Sequence, residues 1–279
     1  MRHLAAVVGA LTLMSTLSTA LPVVTASAGS TQPGPVAGVS PQPGQTVGVA
    51  HPVTVTFTEP VADRSAAESS ITVRPVGAPA TPGSFTWLDD QVVEFTPAEY
   101  FPAHTPITVS VNGLKSSFET GASVVSVADI DAHTFTVSID GEVAREMPAS
   151  MGKPKFPTPT GSFTALGKER YVTFDSRTIG IPLDDPEGYL IDGEYAVRVT
   201  WGGVYVHSAP WSVNSQGITN VSAGCLNVSP DNAKWFYDNT TRGDIVEVVN
   251  TVGPTLSGVD GLGDWNVPWD QWRTGNADV

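Results

Sequence analysis

The sequence predicts a mainly-β protein of two domains, and three observations carry that reading. A chain of 279 residues has room for about two domains at roughly 100 to 200 residues each. With 27 glycines, 23 prolines and only 15% charged residues, it favours turns and strands over long solvated helices. Its hydrophobic residues, 41% of the total, fall largely into short alternating runs bounded by Pro, Gly or Asp. The formal charge of −14, from 14 basic against 28 acidic residues, argues against a nucleic-acid partner, which would need clustered cations. The single cysteine excludes an internal disulfide, a zinc ribbon and an Fe–S cluster.

Residues 1–28 open with Arg2 and His3, run apolar from Leu4 to Leu21 and end in Ala26-Ser27-Ala28, a small-x-small cleavage site. This is a signal peptide, with an uncleaved anchor as the alternative, since the apolar stretch is just long enough to span a bilayer. Either way the functional chain is expected to be exported, in the periplasm or cell envelope. Residues 29–48, rich in Pro, Gly, Ser and Gln, are expected to form a semi-extended linker.

Residues 49–121 carry the runs Val53–Phe57, Ile71–Val73, Phe85–Trp87, Val92–Phe95 and Ile107–Val111, each of period two. This pattern predicts a small β-sandwich of immunoglobulin type, a spacer or docking module. His51 and His104 adjoin turn-like prolines and are expected at its surface. Residues 122–250 form the second domain. Asp140-Gly141 suits a tight type I′ turn between two strands, and Gly202-Gly203 marks another hairpin. A helix is expected over about 230–240, with Ser229 as N-cap, Pro230 at the first position and Asp231 in the first turn. Ile245 to Val249 returns to strand. The tail, residues 251–279, holds Trp265, Trp269 and Trp272 and is expected to fold back onto a domain.

Chemistry concentrates around the lone thiol. Val204-Tyr205-Val206 delivers His207 at a strand end, and Ser222-Ala223-Gly224-Cys225-Leu226-Asn227 sets Cys225 beside a glycine, just before the helix. A nearby imidazole can take the thiol proton and hold the ion pair, and the N–H groups of Gly224 and Cys225 are placed to face a developing oxyanion. From these residues alone, a nucleophile and a buried inert thiol both remain open.

The stretch His207-Ser208-Ala209-Pro210-Trp211, then 14 residues (Ser208 to Val221) and Ser222-Ala223-Gly224-Cys225-Leu226-Asn227, resembles the signature of L,D-transpeptidases of the YkuD family. There a histidine is followed after 14 to 17 residues by Ser/Thr-His-Gly-Cys-x-Asn. Met151-Gly152-Lys153, Pro157 to Gly161 and the Trp-rich tail extend the resemblance, which is to the actinobacterial, mycobacterial type with an immunoglobulin-like first domain. It implies a YkuD-type, β-rich catalytic domain with few short helices. By that resemblance Cys225 is the acyl acceptor and His207 the base, oriented by the Ser208 carbonyl. Gly224 shapes the nucleophile turn. Tyr189 is the lid tyrosine assisting at the oxyanion, on a mobile flap from Tyr171 to Tyr189. Trp211, Asn227 and Ser222 belong to the substrate site; from the residues themselves, Trp211 is equally readable as core and Asn227 as a turn cap.

One position departs from the motif. Ala223 stands where a histidine is expected, by natural divergence or deliberate truncation, so a supporting imidazole is missing and activity is expected to be weakened. The resemblance implies cross-linking of peptidoglycan tetrapeptide stems, donor and acceptor, at diaminopimelate, with release of D-alanine and no metal or cofactor. Carbapenem β-lactams would be covalent inhibitors. Hydrolysis or attachment of a protein amine shares the same first step, and a catalytically silent peptidoglycan-binding module is the alternative from another class.

Overall fold

The computed structural model describes residues 34–272 except Val259, so the expected signal segment, residues 1–28, lies outside the described residues. Eight strands build the first domain: β1 (Val36–Ser40), β2 (Thr46–Val47), β3 (Val53–Phe57), β4 (Ile71–Pro75), β5 (Gly83–Trp87), β6 (Val92–Pro97), β7 (Pro106–Val111) and β8 (Leu114–Thr120). They form two four-stranded sheets, in the orders β1-β3-β6-β5 and β2-β8-β7-β4. Alternation does what the period-two runs require: Val53, Val55 and Phe57 from one sheet and Ile107, Val109 and Val111 from the other are buried in one core.

Two expectations for this domain are corrected. The stretch expected as linker contributes β1, antiparallel to β3, and β2, parallel to β8. Both are edge strands, where the prolines that suggested a linker remove no ladder hydrogen bond. His51 is buried rather than exposed, with Nδ1 2.6 Å from the Pro52 carbonyl, and burial pushes it down to about 4. His104 is exposed as expected, its Nε2 2.8 Å from Asp140 Oδ2. The short helix α1 (Arg64–Ser70), capped by Asp63 Oδ1 on the Ala66 N–H, was not foreseen; it buries Ala67 alone and leaves no periodic stripe.

The second domain contains β9 (Val124–Asp129), β10 (Thr134–Ile139), β11 (Glu142–Pro148), β12 (Gly161–Thr164), β13 (Gly167–Asp175), β14 (Leu190–Arg198), β15 (Tyr205–Ser208), β16 (Leu226–Val228) and β17 (Ile245–Val249). Its sheets run β11-β10-β9-β17-β12 and β13-β14-β15-β16. Asp140 and Gly141, at φ 51° and 85°, close the β10–β11 hairpin with Ile139 opposite Glu142. Helix α2 (Pro230–Asn239) starts where expected: Ser229 Oγ accepts the Asn232 N–H, and Asp231 faces the positive helix end. It buries Ala233 and Phe236, the latter edge-on to Phe135 at 4.9 Å. The start of the expected flap is sheet: Tyr171 to Asp175 belong to β13 and pair with Leu190 to Glu194, so only 176–189 leave the ladder. No helix among the described residues is long and apolar enough to cross a membrane.

The tail bridges the two domains. The Trp265 indole N–H donates to the Ala50 carbonyl at 3.1 Å, and its ring meets Tyr100 edge-on at 4.5 Å. The Asn266 amide accepts the Ser162 N–H at 2.7 Å and donates to the Ser162 carbonyl at 2.8 Å, satisfying the free edge of β12. A short helix, α3 (Trp269–Trp272), follows; the side chain of Trp272 lies outside the described residues. At the junction the Gly48 N–H donates to the Arg242 carbonyl, and a Cβ at Gly48 would lie 2.2 Å from the Asp244 nitrogen.

An acidic pair is buried at this seam. Asp264 accepts from Thr86 Oγ1 at 2.5 Å and faces Glu94 of β6. Burial first, then the Asp264 charge, pushes Glu94 up to about 7, against the lowering effects of the Gly263 backbone and Arg242. A carboxyl raised on folding favours the folded state fully below its unfolded value near 4.5 and loses that contribution as pH rises to about 7. Glu94→Gln, neutral at every pH, is therefore expected to leave stability nearly unchanged at pH 4.5 and to raise it by roughly 3 kcal/mol at pH 8. Denaturant unfolding at the two pH values checks this; a pH-independent effect would contradict it.

Candidate active site

The site is assembled by a parallel strand pair. β15 and β16 run in register with His207 beside Asn227 and Val206 beside Leu226. In parallel strands the side chains of paired residues share a face. Val206 and Leu226 therefore enter the core together, and His207 and Asn227 line the opposite face, in a cleft of about 260 Å³. Cys225, just before β16, enters the same cleft with Tyr189, Trp211, Ser222 and Ala223. All the residues lining it come from the second domain.

His207 is buried, sandwiched between Phe174 at 4.3 Å and Trp211 at 5.9 Å between ring centroids. Its Nδ1 lies 2.9 Å from the Ser208 carbonyl. A carbonyl can only accept, so Nδ1 carries the proton and Nε2 is left as a base. Burial pushes the imidazole down to about 4, offset in part by the Ser208 carbonyl and the Asn227 side chain. Asn227 Nδ2 donates to Ser212 Oγ at 3.2 Å, while its buried Oδ1 has no hydrogen-bond partner among the described residues. Trp211, equally readable as core, is nearly half exposed.

Gly224 has φ 121°, a conformation closed to L side chains, although nothing stands within 4 Å of where a Cβ would be. The turn is braced from both sides. The Gly224 N–H donates to Ser222 Oγ at 3.1 Å, Ser222 Oγ donates to the Cys225 carbonyl at 2.6 Å, and Thr158 Oγ1 donates to the Gly224 carbonyl at 2.8 Å. This corrects the expected oxyanion arrangement. The Gly224 N–H is taken up by Ser222, which leaves the Cys225 N–H as the backbone donor beside the sulfur.

The resting thiol is corrected as well. Its Sγ–H is directed at the Gly203 carbonyl, 3.7 Å away, and burial pushes it up to about 11 despite the lowering effect of the Tyr205 backbone. With the imidazole pushed down to about 4 and the thiol up to about 11, burial favours thiol and neutral imidazole over the ion pair expected from the sequence. Ala223 brings neither a charge nor a donor to the sulfur. Burial and the Cys225 charge both push the Tyr189 hydroxyl above its ordinary range, which places it in the sulfur's electrostatic reach.

Sequence reasoning missed Thr158, Ser212 and Gln216. Thr158 also accepts the Gly152 N–H at 3.0 Å, and Gln216 Nε2 donates to the Ala209 carbonyl at 3.2 Å, holding the turn that carries Trp211. Their signal was weak, because each is a small or neutral polar residue acting through the backbone.

A lone thiol, a neutral base and a backbone donor converging in one cleft are the equipment of cysteine-dependent acyl transfer. Comparison with known proteins narrows the class. Residues 123–248 match the L,D-transpeptidase catalytic domain and residues 16–115 a bacterial Ig domain. The chain is 57% identical to L,D-transpeptidase 1 of Mycobacterium tuberculosis over 89% of its own length and 98% of the relative. A solved L,D-transpeptidase from Mycobacterium smegmatis matches at 63% identity and TM-score 0.73, covering 77% of this chain and 99% of that one. An L,D-transpeptidase solved in complex with imipenem matches at 60% identity and TM-score 0.71, covering 78% and 99%. The chain belongs to the L,D-transpeptidase family, with a YkuD catalytic domain behind an immunoglobulin-like one.

The raised thiol makes a kinetic statement. Alkylation of Cys225 by iodoacetamide is expected to accelerate about tenfold per pH unit from pH 7 to pH 10, following the thiolate fraction. A rate that is flat from pH 6 to pH 9 would mean a preformed thiolate–imidazolium pair. Stopped-time intact-mass measurements across that range decide between them.

Proposed function

We propose that this L,D-transpeptidase joins peptidoglycan stems at diaminopimelate through a Cys225 thioester, in the cell envelope after export. The observation that carries the reading is the placement of Cys225 and His207, its Nε2 unprotonated, in one cleft by the β15–β16 pair. The sulfur attacks the carbonyl between the L-centre of diaminopimelate and the terminal D-alanine of a tetrapeptide stem. Its proton passes to His207 Nε2 as the S–C bond forms, since the resting pair is neutral. The Cys225 N–H and the Tyr189 hydroxyl face the oxyanion, and Asn227 Oδ1 accepts an N–H of the bound stem. The imidazolium then protonates the departing D-alanine amine as the C–N bond breaks. An amine of a second stem attacks the thioester, gives its proton to His207 and releases the thiol. A carbapenem would acylate the same sulfur by ring opening; the relatives solved with imipenem and with a faropenem-derived adduct support this.

Ala223 weakens the first step. An imidazole there, when charged, would favour the thiolate; without it, His207 must take the proton from a thiol held near 11. Ala223→His is expected to raise acylation by imipenem about 10-fold or more. His207→Ala should lower it by roughly 10²- to 10⁴-fold in both backgrounds. Thioester formation across this two-by-two set, followed by intact mass, checks the assignment. If Ala223→His restored the rate with alanine at 207, the base would be at 223, and the chain with Ala223 would act as a stem-binding module.

A further inference from the structure

The cleft is lined in part by an ion pair that the acyl-transfer chemistry does not use. Among the described residues lining the cleft, Lys153 is the one cation and Glu187 the one carboxylate. The Lys153 ammonium donates to Glu187 Oε2, and Lys155 stands 3.7 Å from Oε1. Both ammonium groups lie over the Phe156 ring, at 5.5 and 5.2 Å from its centroid. These are two of only five lysines in a chain of net charge −14, and both sit in one turn at the cleft.

The two partners are anchored very differently. The Lys153 N–H donates to the Ser222 carbonyl at 3.0 Å, and Gly152 bridges to Ser222 in parallel register. The cation is thus fixed by its backbone to the turn that carries Cys225. Glu187 stands on the segment 176–189, which leaves the sheet between β13 and β14. There it sits between Pro186 and Gly188, two residues before Tyr189, in a turn so tight that a Cβ at Gly188 would lie 2.3 Å from the Pro182 carbonyl oxygen. Because the pair is partly exposed, it contributes little to folding. It does set what the free cleft contains: a cation with an anchored backbone, neutralised by a carboxylate on a separate arm.

We propose that Lys153 is the specificity-determining cation for a carboxylate of the donor stem, and that Glu187 is the protein's own occupant of that position, displaced when the stem binds. No covalent bond changes in this step; one carboxylate replaces another on the same ammonium, and the released Glu187 stays within reach of Lys155. This rests on the proposal that the substrate is a tetrapeptide stem. The two residues joined by the scissile bond each bring a candidate carboxylate: that of the terminal D-alanine, one residue beyond the scissile carbonyl, and that on the side chain of diaminopimelate. The exchange makes Glu187 a built-in competitor. Removing it should tighten binding, whereas removing Lys153 should weaken it, although both changes break the same ion pair.

The test is calorimetric titration of the tetrapeptide into the full chain carrying Cys225→Ala, so that binding is read without turnover. Lys153→Met is expected to weaken binding about tenfold, Lys153→Arg to retain most of it, and Glu187→Gln to tighten it several-fold. With Lys153 in place, an amide at one of the two carboxylates is expected to weaken binding about tenfold. The position at which this happens identifies the carboxylate, and the penalty disappears in Lys153→Met. If Lys153→Met does not fold, the amide series on the parent chain together with Glu187→Gln still decides. Equal binding of both amides and the free acid, or weaker binding on Glu187→Gln, overturns the proposal. D-alanine release by the chain with Cys225 intact is measured in parallel. Its absence would count against the acyl-transfer reading alone, while the titrations would still report on Lys153.

Discussion

The parallel pairing of β15 with β16 is the constraint on which the site depends. Antiparallel partners can be joined by a two-residue turn, but parallel partners need a longer crossover. Here it is the run from Ala209 to Cys225 that carries Trp211, Ser212, Gln216 and the nucleophile turn. One register then fixes three things together. His207 lies beside Asn227, Val206 and Leu226 are committed to the core, and Cys225 is held at the strand mouth. A slip of one residue would send His207 into the core and Val206 into the cleft. The catalytic geometry is thereby tied to burial of the domain's apolar residues, which is the largest favourable contribution to folding.

Around that pairing, polarity is managed by small side chains. Thr158 and Ser222 satisfy the backbone of the Gly224 turn, and Ser212 and Gln216 hold the turn beneath Trp211. Burial favours the neutral forms of the reacting groups, with the thiol high and the imidazole low. Such a site has little nucleophile in the resting state and depends on proton transfer during attack.

Much of this was legible in the sequence. The period-two runs located most core strands of the first domain, because alternation is imposed by the pleat itself. Ser229-Pro230-Asp231 located α2, because each residue answers a specific need of a helix start. The spacing from His207 to Cys225 located the cleft. What escaped was set by tertiary context. β1 and β2 hide among prolines because edge strands tolerate them. His51 is buried where the second domain meets it, a contact more than 190 residues away in the chain, at Gly243. The Gly224 N–H looked free until Ser222 was placed against it. The neutral thiol–imidazole pair follows from burial, which no local spacing reports.

The central claim is that Cys225 is acylated by the stem with loss of its terminal residue. Intact-mass analysis of the chain after brief exposure to a diaminopimelate tetrapeptide, without acceptor, tests it directly. The expected product is an adduct equal to the tetrapeptide less D-alanine, mapped by peptide digestion to Cys225 and absent from Cys225→Ser. An adduct that retains D-alanine, one on another residue, or none at any exposure time would contradict it.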